Sequence, residues 1–431
     1  MVKEVFEAKS FAVVGASREE DKVGHVIFKN LISRGTKVFP INPSADYILG
    51  QKCYKNLSEI EKVDCVIIAV PAKIVPNILK DCGKNKIKNV VIISSGFSEA
   101  GNEKLNEEIK KIALNSKINL IGPNTMGFIN PYTNINSTFF NGMPEKGNIA
   151  FISQSGAIGT TILDKKIKLS GFFSIGNALL NDFSHYIDYF SIDKNTQVIA
   201  IYIESLKENR GKDFIIACKK CKKPIIALKS GKTEIGNRAA SSHTAALASE
   251  QGIYEGIFKQ CGIIEVDSIR ELFQVAETYV KVKKPGKRAM VITNAGGPGV
   301  LCADYAKKNG IELVELNEKI KNNLNNILPF GWSKNNPIDI LGDAKAELYE
   351  KTIKELENEN FFDFFIVILT PQYMTEPYKT AEVLLKITKK PVIACFLGGE
   401  KVEMSINHMK DKIANFQELK DMAEVIGKLV K

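Results

Sequence analysis

Short apolar runs rich in β-branched residues alternate along the chain with amphipathic segments of helical length. This alternation is typical of βαβ units, in which a buried parallel strand is followed by a helix that packs on the sheet. The predicted strands are Phe11–Val14, Lys37–Phe39, Cys65–Ile68, Val90–Ile93, Asn119–Ile121, Ile149–Ile152, Phe172–Ile175, Val198–Ile203, Pro224–Leu228, Ala289–Ile292, Ile311–Val314, Phe364–Leu369 and Val392–Phe396. The pattern therefore predicts an α/β protein with parallel sheets.

Two breaks in this rhythm divide the chain into three predicted units. The polar stretch from Pro131 to Gly147 indicates a connection between domains, and the basic segment from Lys281 to Arg288 marks a second junction. We therefore expect one domain over 1–130, a second over 131–284 and a third over 285–431. The number of strands in each unit is typical of nucleotide-binding or flavodoxin-like folds.

The composition narrows the class of protein. With 431 residues, 44% of them hydrophobic and 25% charged, the chain is expected to be a soluble protein of more than one domain. We find no run long enough for a spanning helix and no secretory signal, which predicts a cytoplasmic protein without a membrane partner. The formal charge of +10 comes from lysines spread over the whole chain, so it suits anionic ligands better than nucleic acid.

The eight cysteines lack the density of a disulfide scaffold and are expected to be reduced thiols. One local pair, Cys218 and Cys221, has the spacing of half a zinc or redox site. No second pair or histidine follows at ligand spacing, and Phe214 to Lys220 has the pattern of an amphipathic helix. We predict no metal site.

The first strand is followed by a turn that contains Gly15, Ala16 and Ser17. A small-residue turn at this point lets a nucleotide-type ligand approach the strand ends, and Arg18 and Lys22 could reach its phosphates. The full G-x-G-x-x-G fingerprint is absent, and Asn42 stands where a ribose-binding acid would follow the second strand. These departures argue against a dinucleotide oxidoreductase.

Two later turns share one design, in which a strand runs through small residues into a helix. They are the segments Ser153–Ala157 and Asn294–Gly299. Free backbone N–H groups and the helix dipole converge at such a turn, so each is a candidate anion site. The alternative is that glycine is needed there only to make a tight turn.

A long polar loop follows the strand that ends near Lys229, and it presents His243 at the predicted start of the next helix. An imidazole can attack phosphorus when a carboxylate orients the ring, and Glu204 is available at the end of Val198–Ile203. A polar residue near a helix N-terminus can also be purely structural, so His243 alone leaves both readings open.

Ordered motifs along the chain resemble the α subunits of the ADP-forming acetyl-CoA synthetases, a branch of the succinyl-CoA synthetase superfamily. The matching segments are Val14–Ser17, Lys22–His25, Pro40–Pro43, Val70–Lys73, Ser94–Glu99, Gly122–Gly127, Ser153–Ala157, Arg238–Leu247, Asn294–Gly299 and Asn336–Asp339. The resemblance implies a Rossmann-like CoA-binding domain followed by two flavodoxin-like domains. Because the second anion turn lies on this same chain, the order of domains is similar to the acetyl branch.

The resemblance also implies a phosphate relay from acyl-CoA through a histidine to ADP. His243 matches the phosphorylated histidine, and Glu204 matches the acid that holds its ring. The implied coenzyme A contacts are Gly15, Ser17, Arg18, Lys22, Asn42, Val70, Pro71, Ser95, Gly96, Phe97 and Asn124. The implied phosphate contacts are Ser153, Gln154, Ser155, Gly156, Gly296, Gly297 and Gly299.

Such a relay needs a partner, because the chain contains no segment resembling an ATP-grasp domain. The resemblance implies a separate β subunit that holds Mg-ADP or Mg-ATP, in an α2β2 assembly acting on a small carboxylic acid. The chain departs from the family pattern at Ala245, at Ser249 and Glu250, and at Thr125 and Met126, which leaves the acyl preference open. The alternatives are a CoA-binding regulatory protein and a subunit of a succinyl-CoA synthetase-like ligase.

Overall fold

The computed structural model describes residues 2–233, 235–236 and 251–430. The chain divides into two compact units, Met1–Asp267 and Ser268–Lys431. In the first unit the helices are α1 Val2–Phe6, α2 Val23–Ile32, α3 Val75–Lys84, α4 Glu103–Asn115, α5 Gly156–Asp164, α6 Phe183–Ile192, α7 Gly211–Lys220 and α8 Gln251–Cys261. In the second they are α9 Ile269–Val282, α10 Gly296–Lys308, α11 Glu318–Asn325, α12 Ala346–Leu356, α13 Pro377–Leu385, α14 Glu400–Met409 and α15 Leu419–Leu429.

The strands confirm the predicted α/β class. In the first unit they are β1 Ser10–Val14, β2 Lys37–Ile41, β3 Tyr47–Ile48, β4 Gln51–Lys52, β5 Cys65–Ile68, β6 Asn89–Ile92, β7 Asn119–Ile121, β8 Phe128–Asn130, β9 Ile135–Asn136, β10 Lys146–Ser153, β11 Leu169–Ser174, β12 Val198–Ile203, β13 Ile225–Lys229 and β14 Ile264–Val266. In the second they are β15 Arg288–Thr293, β16 Glu312–Leu313, β17 Ile338–Asp339, β18 Phe364–Leu369, β19 Val392–Phe396 and β20 Ala414–Phe416. No helix among the described residues is long and apolar enough to cross a bilayer.

The first unit contains two large sheets. One has five parallel strands in the order β2-β1-β5-β6-β7. The other has the order β14-β13-β12-β10-β11-β8-β9, in which the β11–β8 and β8–β9 pairs are antiparallel and the other pairs are parallel. Every residue of β5 and β6 is buried, as expected for strands covered on both faces.

The polar stretch 131–147, expected from the sequence to be a connection between domains, contains a strand of the second sheet. Asn136, Ser137 and Thr138 are fully buried there. Their side chains are satisfied locally, for example by the bond from Asn136 Nδ2 to the carbonyl oxygen of Phe140 at 2.9 Å. Buried amide and hydroxyl groups carry no hydrophobic signal, which explains why the strand was not predicted.

An aromatic cluster joins the two sheets of the first unit. Phe6 lies 5.0 Å from Phe173 and 5.9 Å from Phe128, measured between ring centroids. Phe11 of β1 lies 6.4 Å from Phe128 in the same way. Because one buried cluster contains residues of both sheets, the loops at the ends of both sheets are held in a fixed relation.

The second unit has its own core around a third sheet. Its path is β16-β15-β18-β19-β20, and β17 also pairs with β15. All six residues of β18 are buried. The core cluster around this sheet includes Trp332 and Tyr349.

The three large sheets share one strand order. In the first two, the first parallel strand lies between the second and the third, and in the third sheet β15 likewise lies between β16 and β18, with the short β17 also paired to it. The order in which strands are added to each sheet therefore changes direction beside that first strand. Open parallel sheets bind ligands at this switch point, outside the carboxyl ends of the strands. The switch points lie between β1 and β5, between β10 and β12, and between β15 and β18.

The start of α2 packs directly on the turn after β1. A Cβ atom added at Gly24 would lie 2.0 Å from the carbonyl oxygen of Gly15. Gly24→Ala is therefore expected to destabilise the first unit by about 3 kcal/mol, because neither backbone can yield easily. Urea unfolding followed by circular dichroism measures the effect. Gly211→Ala is the control, since a Cβ there meets no atom within 4 Å, and equal midpoints for the two variants would contradict the prediction.

Candidate functional site

The turn after β1 lies at the first switch point, where the loop after β5 comes close. Gly15 has a φ of +92°, and a Cβ there would lie 2.4 Å from the carbonyl oxygen of Ala69. Asn42, at the end of β2, donates from Nδ2 to the carbonyl oxygen of Ala16 at 2.7 Å. The ends of three neighbouring strands are thereby held together, and a ligand can approach the backbone at position 15.

The polar residues predicted after this turn lie at its rim. The Ser17 hydroxyl accepts a hydrogen bond from the backbone N–H of Glu19 at 3.0 Å. Arg18 and Lys22 are exposed, and Lys22 lies 3.6 Å from the Glu19 carboxylate. Exposed ion pairs of this kind are weak, so both cations remain available to an anionic ligand.

The loop after β6 is organised by Glu99. Its Oε1 accepts hydrogen bonds from the backbone N–H groups of Gly96 at 2.6 Å and Phe97 at 3.2 Å. The Phe97 ring is fully buried in the core of the first sheet, so only its backbone can face a ligand. Ser95 is exposed at the same loop.

A cavity of about 570 Å³ opens between these loops and the start of α5. Its lining consists of Val23, Ala69, Val70, Pro71, Ile93, Ser94, Ser95, Asn124, Thr125, Met126, Phe139, Gln154, Ser155, Gly156 and Ala157. Predicted coenzyme A contacts of the first sheet and predicted phosphate contacts of the second sheet thus line one cavity. None of these lining residues carries a charge.

The start of α5 presents backbone donors to this cavity. Ser155 caps the helix, and its Oγ accepts from the backbone N–H of Ile158 at 3.3 Å. The N–H of Gly159 bonds to the Ser155 carbonyl oxygen at 3.1 Å. Among the described residues, no partner takes the first-turn N–H groups of Gly156 and Ala157, which therefore form a candidate anion site at the positive end of the helix dipole.

Ser153, predicted as a phosphate contact, is fully buried and does not line the cavity. Its Oγ accepts from the backbone N–H of Ser155 at 3.1 Å and donates to the carbonyl oxygen of the same residue at 2.7 Å. The hydroxyl therefore shapes the turn that leads into α5.

Gln154 ties the turn to the strand across the second switch point. Its Oε1 accepts from the backbone N–H groups of Glu204 at 2.6 Å and Ser205 at 3.0 Å, and its Nε2 donates to the Ser205 carbonyl oxygen at 2.9 Å. The side chain predicted to bind phosphate thus also fixes the position of Glu204 relative to α5.

Glu204 is buried at the end of β12, with 8% of its surface exposed. Lys229 donates from Nζ to the Glu204 carbonyl oxygen at 2.8 Å and lies 4.6 Å from the centre of the Tyr254 ring. Burial lowers the pKa of Lys229 to about 8. Burial also raises the pKa of Tyr202, which interacts with the Glu204 carboxylate. Glu204, the acid predicted to orient His243, is therefore contacted at its backbone N–H by Gln154, at its carbonyl oxygen by Lys229 and at its carboxylate by Tyr202.

A smaller polar pocket adjoins the cavity. Its lining is Asn124, Gln154, Gly176, Asn177, Glu204, Ser205 and Lys207, so it shares Asn124 and Gln154 with the larger cavity. Asn124 has a φ of +57° and donates from Nδ2 to Asn177 Oδ1 at 3.3 Å. Asn177 and Lys207 were not predicted as site residues, because they lie on loops whose positions no local motif specifies.

The two loops that carry this pocket are joined by an ion pair between buried Asp182 and half-buried Arg210. Asp182, 5% exposed, accepts hydrogen bonds from Arg210 Nε at 2.5 Å and from the Ser184 backbone N–H at 3.0 Å. His185 Nδ1 lies 3.1 Å from the same carboxylate. Burial alone would raise the pKa of Asp182, but hydrogen bonds from His185, Arg210 and Ser184 hold the pKa well below its usual range.

Asp182→Asn is expected to cost about 2–4 kcal/mol of stability at neutral pH, because Arg210, His185 and the Ser184 N–H lose the buried charge that they contact. Since the folded pKa is depressed, the contribution is present above the unfolded pKa of about 3.9 and is lost as pH falls below it. Unfolding midpoints between neutral and acid pH measure this. The difference between wild type and variant should shrink with acidification. Asp188→Asn, which removes an exposed pair at 3.9 Å, is the control, and an equal loss there would contradict the prediction.

The turn before α10 repeats the design of the turn before α5. Thr293 Oγ1 accepts from the backbone N–H of Ala295 at 3.1 Å. Asn294 accepts from the backbone N–H of Thr370 at 2.9 Å and donates to Gln372 Oε1 at 2.8 Å, as Gln154 does across its own switch point. The predicted contacts Gly296 and Gly297 are exposed at the helix start, whereas Gly299 is buried.

His243 lies outside the described residues, as does the motif Arg238–Leu247. The segment that carries it follows β13, whose last residue, Lys229, contacts the Glu204 backbone. The segment therefore leaves the second sheet at the same edge as Glu204. The proximity of His243 to Glu204 remains a prediction.

Three family models match the chain in order. They are described as a CoA binding domain at residues 9–131, a succinyl-CoA ligase like flavodoxin domain at 146–279 and a ligase-CoA domain at 289–424. Each range covers the parallel strands of one of the three large sheets.

The chain is also similar to proteins over nearly all of its own length. The chain is 39% identical over 449 residues to the α subunit of acetate–CoA ligase (ADP-forming) II of Pyrococcus furiosus, covering 100% of this chain and 97% of that one. It is 39% identical over 425 residues to acetate–CoA ligase (ADP-forming) I of Archaeoglobus fulgidus, but spans only 61% of that protein. The structure of the dinucleotide forming acetyl-coenzyme A synthetase 1 of Ca. Korarchaeum cryptofilum, in complex with phosphate and ADP, superposes with a TM-score of 0.95 at 35% identity, covering 100% of this chain and 96% of that one.

Proposed function

Because this chain belongs to the family of ADP-forming acetate–CoA ligases, we propose that it binds an acyl-CoA and carries a phosphoryl group on His243 from that thioester towards ADP. The overall reaction is acyl-CoA + ADP + phosphate = carboxylic acid + ATP + CoA. The observation that carries the proposal is that two neighbouring pockets share lining residues. Asn124 and Gln154 line both the cavity beside the CoA-type crevice and the pocket that contains Glu204.

The first chemical step takes place in the uncharged cavity. A phosphate oxygen attacks the acyl carbonyl carbon, the C–S bond breaks, and the departing sulfur takes up a proton, which yields an acyl phosphate. The N–H groups of Gly156 and Ala157 hold the phosphate oxygens during this attack. Donors aimed at developing charge in a partly dry pocket lower the barrier without giving up a proton.

The second step transfers the phosphoryl group to His243. A neutral ring nitrogen attacks phosphorus, the P–O bond to the acyl oxygen breaks, and the carboxylic acid leaves as its carboxylate. Glu204 accepts a hydrogen bond from the other ring nitrogen and compensates the positive charge that develops on the imidazole. The P–N bond breaks later, when the terminal phosphate oxygen of ADP attacks.

The acyl group is proposed to be small and without a second charge. None of the residues around the cavity carries a charge, and Val23, Ile93, Met126 and Phe139 give it apolar patches. A second carboxylate, as in a succinyl group, would lose its hydration there without gaining a cation. This supports a monocarboxylic acid over a dicarboxylic one.

The partner is proposed to be an ATP-grasp β subunit that holds Mg-ADP, in an α2β2 assembly. One relative that this chain covers almost completely is named as a subunit α, and another extends well beyond the matched length in a single chain. The proposed site of action is the cytoplasm, where CoA, phosphate and ADP are all present.

Labelling with radioactive phosphate tests the proposal. The purified chain is incubated with acetyl-CoA and labelled phosphate, with and without a co-purified ATP-grasp partner, and protein-bound label is measured after acid and after alkali. Acid-labile, alkali-stable label that passes to ADP when the partner is present is the expected result. A wild-type chain that stays unlabelled under both conditions would instead favour a CoA-binding regulatory role.

A further inference from the structure

The polar pocket next to Glu204 contains a cation that the proposed relay does not yet use. Lys207 lines this pocket together with Glu204, Asn124 and Asn177. In the part of the chain that the structure describes, Glu204 and Lys207 are the charged residues lining this pocket and the larger cavity together. Glu204 is an anion and Lys207 a cation. Both line the smaller pocket, into which the phosphoryl group would pass from the uncharged cavity.

Lys207 is half-buried and makes no hydrogen bond or ion pair through Nζ with any described residue. Glu103 and Glu99 are the carboxylates whose charges act on Lys207, and neither forms an ion pair with it among the described residues. Glu99 has both oxygens engaged, since Oε1 accepts from Gly96 and Oε2 from Asn177 at 2.5 Å. Burial lowers the pKa of Lys207. A partly desolvated ammonium group without a partner is costly, and its placement beside a cavity indicates a group that meets an anionic ligand.

We propose that Lys207 binds the phosphoryl group as it passes from the acyl-CoA cavity to the side of Glu204. This inference rests on the proposed function and adds a binding residue to it. A phosphate dianion that approaches Glu204 meets a carboxylate of the same sign, and the α5 helix end supplies only about half a positive charge. The ammonium group of Lys207 supplies a full positive charge in the pocket that also contains Glu204.

The phosphate dependence of labelling tests this role. Lys207→Met is expected to raise the phosphate concentration for half-maximal labelling by about tenfold or more, the loss expected for one charge-assisted hydrogen bond. The half-saturating acyl-CoA concentration should stay near that of wild type, because Lys207 does not line the larger cavity. Lys207→Arg should recover most of the phosphate affinity. Lys212→Met is the matched control, since Lys212 is exposed on α7.

A second measurement on the wild-type chain does not depend on the variants. Acetic anhydride modifies lysines, and mass spectrometry follows the acetylation of Lys207 and Lys212 as inorganic phosphate is added. Saturable protection of Lys207 without protection of Lys212 is expected. Unchanged acetylation of Lys207, or an unchanged phosphate dependence in Lys207→Met, would overturn the inference. Absence of labelling in wild type would refute the relay itself, while protection of Lys207 would still report phosphate binding.

Discussion

Replacing His243 with alanine is expected to abolish acid-labile labelling of the chain while leaving acyl-CoA binding nearly unchanged. The imidazole is the proposed nucleophile, and alanine offers no group that can form a bond to phosphorus. The proposed acyl-CoA crevice lies at the strand ends of the first sheet, which contact one another through Gly15 and Asn42, and His243 is not among its proposed contacts. The measurement is label per chain at saturating acetyl-CoA and phosphate, together with the acyl-CoA dissociation constant.

A second histidine provides the control for this variant. His408 lies on α14 of the second unit, where its ring stacks on Tyr378 at 4.9 Å. His408→Ala should label like wild type. Equal labelling of His243→Ala and wild type would show that the phosphoryl group is carried elsewhere.

Replacing Glu204 with glutamine is expected to slow phosphorylation of the chain by about 10²–10³-fold, because the imidazole loses the charge that orients and stabilises it. Glutamine keeps the size of the side chain. It also keeps the two backbone contacts of this residue, the N–H bond to Gln154 at 2.6 Å and the carbonyl bond from Lys229 at 2.8 Å. The loss should therefore lie in the rate of labelling and not in folding.

Rapid-quench labelling measures that rate, and circular dichroism checks the fold. Glu208→Gln is the matched control, because Glu208 is exposed four residues further along the same loop. A Glu204→Gln variant that labels at the rate of the Glu208→Gln variant would remove Glu204 from the proposed chemistry.

The sheets were predictable because parallel strands buried on both faces need continuous apolar runs. The predicted bounds of Cys65–Ile68, Val198–Ile203 and Phe364–Leu369 agree with β5, β12 and β18. The sequence pattern did not predict β8 and β9. β8 has only three residues, and β9 has two and leads into buried polar side chains that bond to nearby backbone. Strand length and hydrophobicity, the two signals available, were both weak there.

Composition also could not show which sheets share a core. The polar stretch 131–147 indicates a connection between domains, yet Phe11 of the first sheet packs against Phe128 of the second, next to Phe6 and Phe173. These rings come from segments far apart in sequence, so no local pattern reveals their contact. The division of the chain into domains at 130 and 284 remains a proposal.

The candidate site was predictable in outline, because loops after neighbouring parallel strands meet at one edge of a sheet. The structure brings Val70 and Asn124, predicted to contact coenzyme A, to one cavity with Ser155, predicted to contact phosphate. Ser153 and Gln154 were predicted only as phosphate contacts. In the structure the Ser153 hydroxyl shapes a turn, and the Gln154 side chain bonds to the backbone of Glu204. Such hydrogen bonds depend on side-chain direction, which sequence spacing does not specify.

The central claim is that His243 carries the phosphoryl group, and the location of the phosphate in the labelled chain tests it most directly. The wild-type chain is labelled with acetyl-CoA and phosphate, digested at alkaline pH, and its fragments are sequenced by mass spectrometry under conditions that preserve phosphohistidine. One phosphoryl group on the His243 ring, removed by ADP when the partner subunit is present, is the predicted result. A phosphate located on any other residue, or an unmodified His243 in fully labelled chain, would contradict it.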